Sequence, residues 1–329
     1  MSRPVAVKLF DDVPSDEYEP LLSTLARVAS GAAWLQHPNI VAPFDCGACD
    51  GRPFVLTEMV HGVALRSLFD RMAEWGGRLH FDLALFIGCE VAEALTGALV
   101  AVGDRGEGLR IIHGELSARE VMLSWAGEVK VTDFGMYRVR CARSGVRSLR
   151  DVASRLDALA PEVALGDPPT ARSDVFSLGM VLREMFVGPR FTRRVSSAEA
   201  LQRLRQGLAD TPVFRRRLPP ALDELLLKAT AVDPVERFGS ARTLAVELRR
   251  IAFLHGVGDG RPFLRRTLER EFPEAVIPQT SDALDEDDPD DYGGDCSDED
   301  TEMAGVGGDH EVEPGFDAEA TVNLRGDDF

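Results

Sequence analysis

Residues 113–135 constrain what this chain can fold into more than any other stretch. They read HGELSAREVML through Leu123, and Asp133-Phe134-Gly135 follows ten residues later. Between the two, VMLS (121–124) and EVKVTDF (128–134) alternate apolar and polar residues with period two, and Ala126-Gly127 supplies a turn. That pattern predicts a hairpin of two short strands. It sets Glu115 and Glu120 just before the first strand and Asp133 at the end of the second.

The 329 residues are enough for a two-lobed domain with a large core. The net charge of −18 is not spread over that domain. Residues 281–329 hold 19 Asp and Glu against one Arg (Arg325), so the other 280 carry 36 of each sign and are neutral. A balanced globular part has no basic footprint for nucleic acid, and Arg193-Arg194 and Arg215–Arg217 read as solvated loop charges. Five cysteines are scattered; Cys46-x-x-Cys49 lacks a second pair or nearby His, so it reads as part of a Gly-containing hairpin turn rather than a zinc or redox site. No signal peptide or uninterrupted apolar run of spanning length is visible, which predicts a cytoplasmic protein without a membrane partner. The longest apolar stretch, 82–103, contains Glu90 and Glu93 and has helical period, as a core helix of the larger lobe should.

Along the chain, residues 1–60 are strand-rich with one helix at about 16–35, and 62–277 are mostly helical. From about 278 the chain is rich in Asp, Glu and Gly and poor in large apolar residues, too few to order a tail. The Gly-x-Gly-x-Gly run at 256–260 follows a helix rather than a strand, so it reads as a terminator and turn, not a phosphate loop.

HGELSARE and the DFG that follows resemble the protein-kinase catalytic loop H-R-D-L-x-x-x-N and its metal-binding triplet. Six further segments resemble that family in family order. They are Val5-Ala6-Val7-Lys8, HPNIV (37–41), FVLTEMVHG (54–62), Ala160-Pro161-Glu162, ARSDVFSLGMVLREM (171–185) and DPVERFGSARTLAVEL (233–248). The nearest flavour is the bacterial Ser/Thr kinases. The resemblance implies an α+β, two-lobed fold: a small lobe at 1–61 with a truncated antiparallel sheet, a mainly helical large lobe at 62–277 and an acidic disordered tail at 278–329. Kinases place two strands and a Gly-rich loop ahead of the Lys-bearing strand. Here the sequence opens almost inside that strand. Three explanations stay open: a sheet lacking that edge, a start codon placed too far downstream, or a segment supplied by a partner.

The resemblance also implies a site. Lys8, Ala6, Glu58, Val60, Met122 and Asp133 fall at nucleotide-lining positions, Thr57 at the gatekeeper, and Asp133 and Glu120 at metal positions, for ATP and Mg2+. Glu115 stands at the catalytic base; one extra methylene displaces its carboxylate by about 1 Å, enough to cost about a hundredfold. The alternative for Glu115 is a surface-loop carboxylate without a catalytic role. Val28 occupies the position of the helix Glu that would hold Lys8. Ser117 replaces a Lys and Glu120 an Asn, making the pocket about two charges more negative, partly offset by Arg119. Gly114 replaces the Arg that reads a phosphorylated activation loop, where Ser144, Ser148 and Ser154 lie. His113, Phe134, Glu162, Asp174 and Arg237 hold the structural positions unchanged.

Structural positions kept and chemical ones altered point to a pseudokinase: a signalling scaffold for protein partners, with ATP binding left open. The alternative is an active Ser/Thr kinase using Glu115 as base and Glu120 as metal ligand. A third reading makes the acidic tail the working part, with Thr321 in EATVNL (319–324) offered to a phosphothreonine-reading forkhead-associated domain.

Overall fold

The computed structural model describes residues 4–11, 13–142, 158–188, 218–275 and 321–324. In the small lobe β1 (Val5–Leu9) pairs antiparallel with β3 (Arg52–Glu58), from Val5 opposite Glu58 to Leu9 opposite Phe54. β3 pairs in turn with β2 (Pro43–Cys49). Cys46 and Cys49 lie on β2 itself, opposite Val55 and Arg52, so the expectation that they belong to the turn is corrected. The turn is Asp50-Gly51, with φ of 51° and 73°. That is the left-handed pair a tight hairpin needs to match the strand twist.

The other edge of β1 is covered by a strand from the far end of the sequence. β7 (Thr321–Leu324) runs antiparallel to it, with Val5 opposite Leu324 and Lys8 opposite Thr321, so the sheet order is β2-β3-β1-β7. The acidic composition predicts a tail with no ordered part, and these four residues depart from that. Composition argues against a tail burying a core of its own. It does not argue against four residues borrowing the backbone hydrogen bonds of an existing edge.

α1 (Ser15–Ala32) packs on this sheet through Leu21, Thr24, Leu25, Val28, Ala29 and Ala32, the 3–4 spacing of one helical face. Asp16 and Glu17 sit in its first turn, where the helix dipole favours negative charge. Pro20 removes one internal hydrogen bond from the helix. Thr24 Oγ1 donates to the Pro20 carbonyl at 2.8 Å.

A second sheet starts the large lobe: β4 (Gly62–Ala64), β5 (Val121–Ser124) and β6 (Val129–Val131), in that order. The β5–β6 hairpin is the one that alternation predicts. Gly127 turns it at φ 85°, and a Cβ there would stand 2.3 Å from the Arg261 carbonyl oxygen, so only glycine fits.

The helices of this lobe gather around α3 (Phe81–Val100), which is apolar almost all round. By length and composition α3 also suits a membrane, but 61% of its apolar stretch is buried inside the fold, which makes it the core helix expected of 82–103. Packed with it are α2 (Leu65–Glu74), α6 (Ala171–Val187), α7 (Pro220–Ala229), α8 (Ala241–Leu254) and α9 (Arg261–Glu271). α6 is buried from Ser173 to Phe186 and starts at a capping box in which Thr170 and Ser173 satisfy each other's backbone N–H groups. α8 ends before Gly256 (φ 69°), so the Gly-rich run 256–260 is a stop and a turn, as expected.

One short helix crosses between the lobes. α4 (Met136–Ala142) starts directly after Gly135, and its Met136 and Val139 are buried with Phe10, Leu21, Leu25, Val28 and Val55 of the small lobe. α5 (Pro161–Ala164) follows the undescribed part of that segment.

Candidate active site

The loop 113–120 is fixed from beneath by Asp174 in the first turn of α6. Its two carboxylate oxygens accept from the backbone N–H of His113 (2.9 Å) and of Gly114 (2.8 Å). Burial pushes the Asp174 carboxyl above its usual range, and those backbone bonds work against the shift. Gly114 has φ +84°, and a Cβ there would meet Pro169 and Tyr137 at 3.0 and 3.1 Å. Glycine therefore relieves both backbone strain and crowding at the position where the family carries an Arg.

The His113 ring is oriented by two bonds. Nε2 lies 2.9 Å from the Thr132 carbonyl, which only accepts, so the ring proton sits on Nε2. Nδ1 is left to accept from the Glu115 N–H at 3.3 Å. The ring meets Phe134 edge-on at 4.9 Å. These two residues bind the catalytic loop to the DFG strand from inside the core.

Glu115 is buried, which corrects the picture of a surface-loop carboxylate. Its Oε2 accepts from the Arg140 side chain of α4. Glu120 Oε2 accepts from the Ser117 N–H (2.8 Å) and the Ser117 hydroxyl (2.6 Å). The Glu120 carboxylate therefore closes its own loop, through the residue that stands where the family has a Lys.

Asp133 sits at φ 67° and forms a 2.8 Å ion pair with Lys8 Nζ, while Arg140 Nη1 approaches the same carboxylate oxygen at 4.0 Å. Burial alone would raise this carboxyl. The Lys8 ammonium and the Arg140 guanidinium outweigh it and hold Asp133 far below the usual carboxylate range. Arg140 is correspondingly raised: burial works against its charge, but Glu115, Asp133 and Glu120 around it prevail. Lys8, Asp133, Arg140 and Glu115 thus form one alternating chain of charges. Val28, at the position of the family's helix Glu, packs in the apolar cluster instead. A Cβ on Gly135 would come within 3.1 Å of it.

The expected nucleotide-lining residues fall into two groups. Lys8 and Asp133 are in contact. At the hinge side Glu58 accepts from Lys130 Nζ at 2.5 Å, and Lys130 is the register partner of Met122 on β5. Ala6 lies on β1 opposite Thr57, and Val60 follows β3; both are half-buried. Lys130 thus ties the large-lobe sheet to the end of β3.

Glu162 receives both arms of the Arg237 fork, at 2.7 and 2.8 Å, and the Ser173 hydroxyl at 2.9 Å. Arg237 lies over the Phe176 ring at 4.8 Å and also donates to backbone carbonyls. Burial would raise Glu162; the Arg237 bonds reverse that and lower it.

In this structure the two carboxylates at the metal positions are engaged by the protein's own groups. Among the described residues no group of three His, Cys, Asp or Glu side chains converges. Asp133 is bonded to Lys8 and Glu120 to Ser117. In nucleotide sites Mg2+ is held by one or two carboxylates together with substrate phosphates, so an ion here would have to displace these partners. Ser144, Ser148, Ser154, the arginine clusters at 193–194 and 215–217, and most of RLDAL (155–159) lie outside the described residues.

Sequence reasoning missed Arg140 and Lys130. Lys130 was detectable as a charged residue at an alternating position of the predicted hairpin. Arg140 gave no comparable signal, because its role depends on residues 136–142 folding as a helix.

Residues 1–245 match the family model described as protein tyrosine and serine/threonine kinase. The serine/threonine-protein kinase PrkC of Bacillus subtilis is 29% identical over 255 residues, which cover 76% of this chain and 36% of that protein. The serine/threonine-protein kinase PknB of Mycobacterium tuberculosis is 32% identical over 231 residues, covering 68% and 35%. This chain therefore spans about a third of the length of the curated relatives it matches. Matched over most of its length and folded in two lobes around a DFG strand and its catalytic loop, the chain belongs to the protein tyrosine and serine/threonine kinase family.

Proposed function

We propose that this kinase-family signalling protein is a pseudokinase: a regulatory scaffold in which the reacting end of the cleft is closed by its own side chains. One observation carries this reading. Arg140 pairs with Glu115, the residue at the base position, and leans on Asp133, the residue at the metal position. A base in an ion pair with a guanidinium is a poor proton acceptor. A carboxylate bound to an ammonium is a poor metal ligand. ATP reaches Lys8 only by competing with Asp133, so nucleotide binding is weak and gains nothing from a divalent ion.

Titration calorimetry of ATP into the full chain, with and without Mg2+, tests this. The reading expects affinities that agree within about twofold, and the same result for Asp133→Ala. A tightening of tenfold or more on adding Mg2+, lost in Asp133→Ala, would contradict it.

The names of the relatives support an active Ser/Thr kinase as the second reading, with Glu115 as base. It requires α4 to swing Arg140 off both carboxylates. As a scaffold the protein works through protein partners, and its evenly charged globular part supports these over nucleic acid. A phosphothreonine reader would take Thr321 only after β7 left β1.

A further inference from the structure

The edge of β1 turned away from β3 is a row of backbone donors and acceptors that must pair or be hydrated. The structure pairs it with Thr321–Leu324. The sequence there suits a docked strand. TVNL contains Thr and Val, which favour extended backbone, and acidic residues flank it at Glu319 and at Asp327-Asp328. The register sets Thr321 opposite Lys8 and Leu324 opposite Val5. Pairing turns β1 from an edge strand into a central one. β1 is also the strand whose Lys8 is bonded to Asp133.

We propose that this edge of β1 is a strand-docking site whose occupant is the chain's own segment Thr321–Leu324, bound in cis, and that docking holds Lys8 on Asp133. With the segment undocked, β1 frays at its outer side and Lys8 loses its fixed position. The docking does not depend on whether the site transfers phosphate, so it stands or falls apart from the pseudokinase reading.

Forty-five residues separate Ala275 from Thr321. That many residues can reach at most about 150 Å, so tether length permits pairing within the chain or with a second copy. Hydrogen exchange by mass spectrometry on the full chain decides, comparing wild type with the double variant Val322→Pro/Asn323→Pro. In an antiparallel ladder one of two consecutive residues always points its N–H at the neighbour, so the double substitution breaks the pairing in either phase.

The expected result is at least tenfold faster exchange within Val5–Leu9, unchanged exchange in α3, and recovery when a synthetic peptide of residues 317–327 is added. Acylation of Lys8 by an amine reagent should rise several-fold in the variant. Identical exchange of Val5–Leu9 in both proteins would overturn the docking. Protection that falls on dilution, together with a dimeric mass, would assign the occupant to a second copy and overturn the cis assignment. Faster β1 exchange with unchanged Lys8 labelling would overturn the coupling to Asp133.

Discussion

Arg140 sits where two carboxylates and an ammonium would otherwise be left in imbalance. Glu115 is among the buried charged residues, and a guanidinium is the partner best shaped to accompany a carboxylate into low dielectric. Removing one partner of a buried pair costs about 3–5 kcal/mol, because the other charge loses compensation it had inside the fold. Arg140→Met should therefore lower unfolding stability by about 3 kcal/mol. Glu115→Gln placed in the same background should restore a good part of it. Urea unfolding of the two single variants and the double gives the coupling directly; a value near zero would mean the pair is not formed. At this scale the sequence was legible where a residue's role is set by a fixed motif. His113, Phe134, Asp174, Glu162 and Arg237 each make contacts in the core. Glu115 was half legible: its place in the loop was clear, but its burial was not, because burial depends on α4, which periodicity over seven residues cannot announce.

α5 and the 3-10 turn at Pro234–Glu236 are far apart in sequence and joined by the Glu162–Arg237 fork. The folded-state pKa of Glu162 is depressed below its ordinary value of 4.5, so its contribution to stability is complete above that value. It is lost as pH falls through the lower, folded value. Glu162→Gln should destabilise by about 2 kcal/mol at pH 7, the range for a hydrogen bond to a charged group. The gap to wild type should shrink steadily below pH 4.5 as the wild-type carboxylate takes up its proton. Urea midpoints measured from about pH 7 to about pH 3 check this, and a gap constant over that range would show that the fork is not what the carboxylate stabilises. Among elements, α3, α1 and the β5–β6 hairpin were readable from period and turn residues. The hairpin containing Cys46 and Cys49 was legible, but its turn is confined to Asp50-Gly51, so both cysteines fall on the strand. β7 was unreadable for a different reason: a four-residue strand inside an acidic tail has no periodicity of its own, and its partner β1 lies more than 300 residues away in sequence.

At the scale of the whole molecule, the described residues combine a kinase-family framework with a cleft in which charged side chains pair with one another. The framework keeps the buried helix, the His113–Phe134 contact and the Glu162–Arg237 fork. In the cleft, Lys8 is paired with Asp133, Arg140 with Glu115, and Ser117 with Glu120. The Lys130–Glu58 pair and the apolar contacts of α4 each join one lobe to the other. The fold was legible because ordered motifs span most of the domain. The state of the site was not, because ion pairs between residues 125 or 25 apart depend on how the lobes meet. The most direct test is Mg·ATP-dependent phosphate incorporation by the full chain beside Asp133→Ala at equal concentration. A pseudokinase incorporates no more than the variant does. Robust incorporation by wild type, abolished in Asp133→Ala, would show that Arg140 and Lys8 leave their carboxylates during turnover and that the protein is an active kinase.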